Sequence, residues 1–470
     1  MQGKCPMSDM QLNMAMEPGK NYFKDALDSG KFIFLAECHV PVMESRCEAA
    51  VERIMPLAQM MADQQDLCGG LALTDRRDAP WSAVEISAAL PEKLRQRNIC
   101  FVSGDGRNAE AVKNQFTLAA NSRSLNVVPV SGNAAPMTVK ECRNRAYCGS
   151  VEQLKLLREG YDELFPGTVI NPYHYDSCTA LATYGALNEK IASGAQFVIS
   201  QSGWDMLQNQ TLAWYLLRQK QFLPLIAHLT WLTADRVEKI IAGEYPGLRM
   251  TAAFRKLLSR ELLGSKAQFD AAQYRRMELQ VAGCRLMGYS GVIISGVDVP
   301  ARAAMLASRI RTALREFNSF EHWLSEYREH QASAEMGFGS RAFHLFDRVL
   351  RRQYPFDEPP EITEPEVPEF SIREKAAYKL KRFFFAHADR ERPERDRLLK
   401  KLLANCRSCK QCTLPQHHFF CVKNCPKRLE HGPCGGVKED GSCEIGTGEC
   451  VFVQIMRCER ALMAQNSLES

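Results

Sequence analysis

Short apolar runs alternate with longer amphipathic stretches over the first two-thirds of the chain. The runs are rich in β-branched and aromatic side chains, which is typical of buried strands. They cover residues 32–37, 70–74, 99–103, 126–131, 168–171, 196–201, 222–227 and 291–295. The stretches between them, whose spacing favours helices, cover residues 44–65, 82–96, 107–119, 149–164, 178–193, 206–219, 235–284 and 299–317.

Eight strand-then-helix units predict an α/β protein and, within that class, a closed (β/α)8 or TIM barrel. A doubly wound open sheet is the alternative, but no glycine-rich phosphate-binding sequence follows the first strand. We assign residues 30–352 to the barrel and residues 1–29 to an N-terminal extension.

An acidic, proline-rich linker is predicted at residues 353–370. Positions 355–369 carry six acidic residues and five prolines but no basic residue, a composition typical of extended segments. Residues 371–470 then form a second domain, which begins with a basic helical stretch at 371–404. We expect this stretch to pack Phe383, Phe384 and Phe385 on the barrel; a docking surface for an acidic redox partner is the alternative.

Nine of the eighteen cysteines lie between residues 406 and 458, and they begin with a C-x-x-C-x-x-C run. Closely spaced thiolates in a polar, glycine-rich segment are typical of metal ligands. The spacing fits zinc and a [4Fe–4S] cluster equally well. With Cys458 left over, the predicted ligands are Cys406, Cys409, Cys412, Cys421, Cys425, Cys434, Cys443 and Cys450.

Composition narrows the functional classes further. The sequence shows no signal-peptide pattern and no apolar stretch of about 18 residues, so we expect a cytoplasmic protein without a membrane partner. In that compartment thiols stay reduced, which favours metal ligation over disulfides. The net charge of +5 is small for 470 residues and evenly distributed, so nucleic acid is not an expected partner.

Polar residues end several predicted strands, where a barrel places its active site. Burial at the end of an apolar run is expected to raise the pKa of Glu37 and suit it to general acid catalysis. With no nucleophile or paired-carboxylate spacing nearby, the pattern indicates cofactor chemistry. The other strand-end candidates are Thr74, Asp105 and Gly132 for cofactor binding, and Asn133 and Gln201 for catalysis.

Three segments resemble the methylenetetrahydrofolate reductases. FIFLAECHVP, residues 32–41, resembles the family's first strand, in which a Glu precedes a Pro-containing loop. KIASGAQFVISQSGWD, residues 190–205, resembles the family stretch K-x-x-A-G-A-x-x-x-x-T-Q-x-x-x-D, with Ser193 and Ser200 replacing Ala and Thr. The tail, with CPKRLEHGPCGG at residues 425–436, resembles a cysteine-rich C-terminal domain found with some bacterial members.

The resemblance implies flavin-dependent reduction of 5,10-methylenetetrahydrofolate to 5-methyltetrahydrofolate in one-carbon and methionine metabolism. Glu37 would protonate N10 of the folate, after which reduced FAD or FMN delivers hydride. Gln201 would contact folate, while Lys190, Thr74 and His174 fall at flavin-contacting positions. NAD(P)H or a reduced redox protein is the implied electron donor, and a homo-oligomer is expected.

Two departures from the family pattern keep other functions open. Asn133 stands where the family has an acidic residue, and loss of that charge favours flavin reduction while weakening stabilisation of a cationic iminium. The aromatic-rich last strand of the family is replaced by VIISGVD, residues 292–298. The alternatives are a noncatalytic or regulatory barrel partner and another barrel enzyme that handles folate- or corrinoid-bound methyl groups.

Overall fold

The computed structural model describes residues 21–133, 137–245, 248, 250–331, 371–386, 397–409, 412–438, 440–446 and 448–469. The predicted linker at 353–370 lies outside these ranges. No helix in the described ranges combines the length and apolar character that a bilayer span requires.

Eight parallel strands pair in chain order and close into a barrel, which confirms the predicted fold and excludes the open sheet. Strand β1 pairs with β8 through Leu35 and Ile293, which closes the ring. The strands are β1 (Ile33–His39), β2 (Gly70–Thr74), β3 (Ile99–Ser103), β4 (Asn126–Val130), β5 (Phe165–Ile170), β6 (Phe197–Ser200), β7 (Leu225–Thr230) and β8 (Gly291–Ser295).

Helices surround the barrel and bury their apolar faces against the outward-facing strand residues. They are α1 (Tyr22–Asp28), α2 (Cys47–Ala62), α3 (Ala83–Ala89), α4 (Glu92–Arg95), α5 (Ala109–Ser122), α6 (Val139–Asn144), α7 (Ser150–Gly160), α8 (Ser177–Ala192), α9 (Met206–Arg218), α10 (Ala234–Ile241), α11 (Ala252–Gly264), α12 (Lys266–Leu286), α13 (Pro300–Glu316) and α14 (Phe320–Gln331). The tail contains α15 (Ile372–Phe385), α16 (Arg397–Ala404) and α17 (Val451–Glu469), with short 3-10 turns at Leu414–His417 and Val422–Asn424.

Strand β7 begins and ends three residues later than the predicted run at 222–227. Phe222 is 80% exposed, and Pro224 has no backbone N–H to give to a neighbouring strand. The strand instead continues through the polar residues His228 and Thr230, because both face the barrel mouth. The predicted helical stretch at 235–284 is likewise divided into α10, α11 and α12.

Inward-facing strand residues change from apolar to polar toward the carboxyl ends. On β1, Ile33 and Leu35 lie in the inner core, and the next inward positions, two and four residues on, are Glu37 and His39. The same alternation carries β7 from Ile226 to His228. The inner core also contains Ala72, Ile99, Phe101, Val128, Phe165, Phe197, Ile199 and Ile293.

Helix α1 packs beneath this inner core, at the amino ends of the strands. Phe23 is almost fully buried, and its ring makes edge contacts with the rings of Phe165 and Phe197 at centroid distances of 6.3 and 5.3 Å. The helix lies inside the segment 1–29 that the sequence analysis separates from the barrel. It therefore contributes to the barrel core as well as preceding it.

The predicted basic stretch at 371–404 contains α15 and α16, but its three phenylalanines do not share one surface. Phe385 is buried within the tail, beside Leu414 and Phe419, whereas Phe383 and Phe384 are exposed. Consecutive helical residues point about 100° apart, so three in a row cannot face the same neighbour. The expectation that all three pack on the barrel is wrong.

Replacing Phe23 with Ala is expected to lower the free energy of unfolding by about 3–5 kcal/mol, because it leaves a cavity beneath the barrel. Chemical denaturation followed by tryptophan fluorescence measures this loss. Phe222→Ala is the matched control: the ring is 80% exposed, so a change within about 0.5 kcal/mol is expected. Equal losses in the two variants would contradict the packing of α1 described above.

Candidate functional site

A cavity of about 680 Å³ opens at the carboxyl ends of the strands. Its wall continues the inward-facing series of the barrel, so apolar residues below give way to polar residues around the opening. Six residues expected at the site lie in this wall: Glu37, Thr74, Asp105, Gly132, Asn133 and Gln201. The structure therefore brings together candidates that are up to 164 residues apart in sequence.

The carboxylate of Glu37 lies between two imidazoles. Nε2 of His228 is 3.7 Å from Oε1, and Nε2 of His39 is 3.7 Å from Oε2. The side chains of Glu37 and His228 are 11% and 10% exposed, whereas that of His39 is 51% exposed. A nearly buried carboxylate is thus flanked by one buried imidazole and one that reaches solvent.

Electrostatics hold Glu37 in its ionised form. Burial alone raises its pKa, but the nearby His228, together with His39 and Arg236, lowers the value to about 2. The expectation of a raised pKa is therefore wrong. The sequence shows the apolar run around Glu37 but not the two imidazoles that the fold places beside it.

Thr74 fixes the orientation of His39. Residues His39 and Thr74 are register partners in the β1–β2 pair, and Nδ1 of His39 lies 2.6 Å from the Thr74 hydroxyl. The other ring nitrogen of His39 is thereby directed at Glu37. Thr74, expected to contact a cofactor, thus also positions an imidazole at the mouth.

A carboxylate in the loop after β3 holds two arginines near the opening. Asp105 accepts hydrogen bonds from Nε of Arg77 at 2.8 Å and from Nε of Arg145 at 2.6 Å. Burial opposes ionisation of Asp105, but the two guanidinium groups lower its pKa. Arg77 also donates to the backbone oxygen of Asn133. Asp105 therefore positions two cationic groups rather than offering a free negative charge to a ligand.

Arg236 adds a third guanidinium from the opposite side of the mouth. It extends from α10 and donates to the Ser295 hydroxyl at 3.0 Å and to the backbone oxygen of Trp231 at 3.2 Å. Gly296, with φ of +82°, leaves the space this side chain uses, since a Cβ there would lie 2.7 Å from Nη1 of Arg236. The wall consequently carries cations on two sides.

Two smaller cavities, of about 230 and 300 Å³, lie between the barrel and the tail. The first shares Gln201, Gly132 and Asn133 with the mouth, and both contain Lys190. Lys190 donates to the backbone oxygen of Val169 at 2.7 Å. Burial lowers its pKa to about 8, while Cys434 of the tail opposes this shift.

His174 lies apart from these three cavities. It is a buried residue of the β5–α8 loop, and burial lowers its pKa to about 4 against the opposing effect of Asp176. The structure thus places seven of the eight barrel candidates around the mouth or at the tail interface, and His174 elsewhere.

A buried ion pair seats the tail against the mouth. Lys427 and Glu444 pair with 2% of each side chain exposed, and Nζ of Lys427 donates to the backbone oxygen of Gly132 at 2.6 Å. Burial lowers the pKa of Lys427, but Cys434 and Glu444 reverse this and raise it above the ordinary lysine value. The tail therefore brings a fixed ammonium to the end of β4, next to Asn133.

Backbone contacts complete this interface. Asn171 donates to the backbone oxygen of Gly435 at 3.1 Å. Gly432 adopts φ of +118°, and a Cβ there would lie 2.5 Å from the Cβ of Ala186 on α8. Only glycine fits such a conformation and such a close approach without displacement.

Four of the predicted metal ligands lie near one another. The charges of Cys425, Cys434, Cys443 and Cys450 interact around the Lys427–Glu444 pair. Cys412 and Cys421 belong to a separate apolar cluster with Phe385. Within the described part of the chain, no three His, Cys, Asp or Glu side chains are arranged tightly enough to hold a metal ion.

Residues 385–470 match the family described as "Methylene-tetrahydrofolate reductase C terminal". The match confirms the predicted resemblance of the tail and covers 86 of the 470 residues. No curated protein matches the chain.

Two solved structures share low sequence identity with the barrel. One, from Clostridium thermocellum, is described as an uncharacterized protein that binds two copies of 5-methyl-5,6,7,8-tetrahydrofolic acid. It is 14% identical, with a TM-score of 0.45 over 62% of this chain and 98% of that one. A "putative dihydrodipicolinate synthetase" from Pseudomonas aeruginosa is 12% identical, with a TM-score of 0.35 over 68% of this chain and 84% of that one. At these scores neither structure indicates a function for this chain.

Sequence reasoning missed His228, Arg236 and Lys427. The misplaced β7 hid His228, although alternation from Ile226 would identify it once the strand is aligned. Arg236 follows β7 within the predicted helical stretch, where nothing in the sequence distinguishes it from other helix residues. Nothing in the sequence shows that Lys427 contacts a residue 295 positions earlier.

Gly432→Ala is expected to loosen the tail, because the new methyl group clashes with Ala186 and requires a strained backbone. Hydrogen exchange at residues 427–436 should become at least about tenfold faster, which corresponds to roughly 1.4 kcal/mol of lost protection. Gly448→Ala, where nothing lies within 4 Å, is the control and should leave exchange at 427–436 unchanged. Wild-type protection in Gly432→Ala would contradict the close approach to α8.

Proposed function

We propose that the chain reduces 5,10-methylenetetrahydrofolate to 5-methyltetrahydrofolate with a flavin held in the barrel. The observation that carries this proposal is the seating of the family-matched tail against the cavity of Glu37 and Gln201. Lys427, within the matched segment, donates to Gly132 in the wall of that cavity. The segment that matches a reductase C-terminal domain thus contacts the wall of the cavity that contains the residues proposed for this reduction.

The mouth suits a folate. A pterin ring carries several hydrogen-bond donors and acceptors, which the amide of Gln201 and the hydroxyl groups of Ser202 and Thr230 are able to meet. The glutamate part of a folate is anionic, and the guanidinium groups of Arg77 and Arg236 lie in the wall. One cavity therefore offers polar recognition in its centre and positive charge around it.

The residues next to the tail suit a flavin. Gly132 has φ of +80°, and a Cβ there would lie 2.5 Å from both the Asp105 Cβ and the Ser103 hydroxyl, so a side chain would disturb this corner of the wall. Lys190 and Lys155 border the adjoining cavity and are suited to flavin phosphate groups. When bound, a reduced flavin supplies the hydride of the reaction.

Glu37 is the group that controls the proton. Protonation of N10 opens the five-membered ring of the folate, and Glu37 is the carboxyl group in the mouth with adjacent imidazoles as proton sources. Because His228 and His39 hold it ionised, the proton must reach it from one of these imidazoles. Asn133, at the end of β4, adds no negative charge to the site. The electrons that reduce the flavin come from NAD(P)H or a reduced redox protein.

The tail is proposed to bind zinc or a [4Fe–4S] cluster through its cysteines. The thiols of Cys425, Cys434, Cys443 and Cys450 lie in one region of the tail, and four thiolates are a sufficient donor set for either metal centre once they are drawn together. Zinc would stabilise the fold of the tail, whereas an iron–sulfur cluster would transfer electrons between a redox partner and the flavin in the barrel.

Anaerobically purified protein is expected to show flavin absorption bands that bleach when 5-methyltetrahydrofolate is added. Glu37→Gln should keep the flavin bands but slow the bleaching by about 10²–10⁴-fold, since it removes the proton-transferring group. Unchanged bleaching in this variant would remove Glu37 from the proton step. A protein that neither contains nor accepts flavin would overturn the reductase proposal and leave a folate-binding or regulatory barrel.

Elemental analysis is expected to find zinc or iron bound to the purified chain. Cys434→Ser should lower the metal content, because it removes one of the four thiols of the proposed ligand set. Cys458→Ser is the matched control: this buried cysteine lies beside Lys381, Arg457 and Glu374, away from the four, and its loss should leave the metal content unchanged. Equal metal loss in both variants would contradict the proposed ligand set.

A further inference from the structure

His228 has a buried ring nitrogen that lies near Glu37. Its Nε2 makes no hydrogen bond within the described residues and lies 3.7 Å from Oε1 of Glu37. An unpartnered nitrogen at this depth is costly unless it becomes paired. Catalytic hydrogen bonds are often long before a ligand binds, so a shortening of less than 1 Å would pair these two atoms.

His39 faces the other oxygen of Glu37 and reaches solvent. Its Nε2 is 3.7 Å from Oε2, and its Nδ1 contacts the Thr74 hydroxyl, which both donates and accepts hydrogen bonds. The order of groups from water inward is therefore His39, Glu37 and His228, and Thr74 holds the orientation of His39. Each neighbouring pair presents a nitrogen to an oxygen.

We propose that His228 stores the proton that Glu37 delivers to a bound ligand, and that His39 recharges this pair from solvent. The assignment of N10 of a folate as the accepting atom rests on the proposed function; the relay itself rests on the geometry of the three side chains. His228 acts through Glu37 and is in this sense a positioning residue.

The proton steps balance without another reactant. The Nε2–H bond of the His228 imidazolium breaks and an O–H bond forms on Glu37, which then gives the proton to the ligand nitrogen. His228 is left neutral and Glu37 ionised. The His39 imidazolium next gives its Nε2 proton to Oε2 of Glu37, and rotation of the carboxyl group turns this O–H bond toward His228, which accepts the proton at Nε2. His39 keeps its Nδ1 proton beside Thr74 and regains a proton at Nε2 from water.

Charge explains why Glu37 needs this partner. With its pKa lowered to about 2, Glu37 is ionised at pH 7 and does not hold the proton by itself. The charged groups that face it are His228 from β7, His39 from β1 and Arg236 from α10, and all three favour the ionised form. The imidazole of His228 lies 3.7 Å from Oε1 of Glu37 and is therefore placed to store the proton.

The first test is a ¹³C titration of the Glu37 carboxyl group, assigned by the signal lost in Glu37→Gln. Wild-type Glu37 should stay ionised from pH 8 down to pH 4. In His228→Gln the effect of burial dominates. The titration midpoint of Glu37 should then move above 4.5, because the largest influence that lowers its pKa is gone. His228→Asn serves as a second variant if the first does not fold. An unshifted Glu37 signal in either folded variant overturns the relay.

The second test measures methylenetetrahydrofolate turnover with reduced flavin. His228→Gln should lower kcat by at least about 100-fold with KM changed less than about threefold, whereas His39→Gln should cost about tenfold, because water reaches that side. His322→Gln, an exposed residue on α14, is the control. Equal, small effects of the His228 and His39 changes overturn the assigned order. Absence of turnover in wild-type protein overturns the proposed function, and the carboxyl titration still decides the relay.

Discussion

The negative charge of Glu37 is the constraint on which the mouth of this barrel depends. A carboxylate that is only 11% exposed, at the top of an apolar core, has lost most of its hydration and must be compensated by nearby positive or polar groups. His228, His39 and Arg236 provide this compensation from three different elements. The positions of His39 and His228 follow from barrel geometry, in which strand residues two apart face the same side.

Much of this architecture could be predicted from the sequence, because strand alternation and barrel order are local and repetitive signals. The eight strands and the grouping of Glu37, Thr74 and Gln201 at one end follow from runs of apolar residues and from the general placement of barrel active sites. Strand β7 was misplaced because its inward side chains are polar near the mouth, where the apolar pattern ends.

The electrostatic state of the site could not be predicted in this way. The pKa of Glu37 depends on His228, which is 191 residues away and separated from β1 by another strand. The sequence gives burial, which raises the pKa of a carboxyl group, but not the neighbours that reverse it. Asp105 is a second example. It is a strand-end acid expected to bind a cofactor, but in the structure it forms ion pairs with Arg77 and Arg145.

The contact between Lys427 and Gly132 also affects how the site is made. The two residues are 295 positions apart, and contacts of such long sequence separation generally form late in folding. The Lys427 contact at the edge of the mouth therefore forms only after residue 427 has been synthesised and the tail has docked. A chain without a docked tail lacks the ammonium group of Lys427 at the end of β4, so the charge at this edge of the mouth depends on tail assembly.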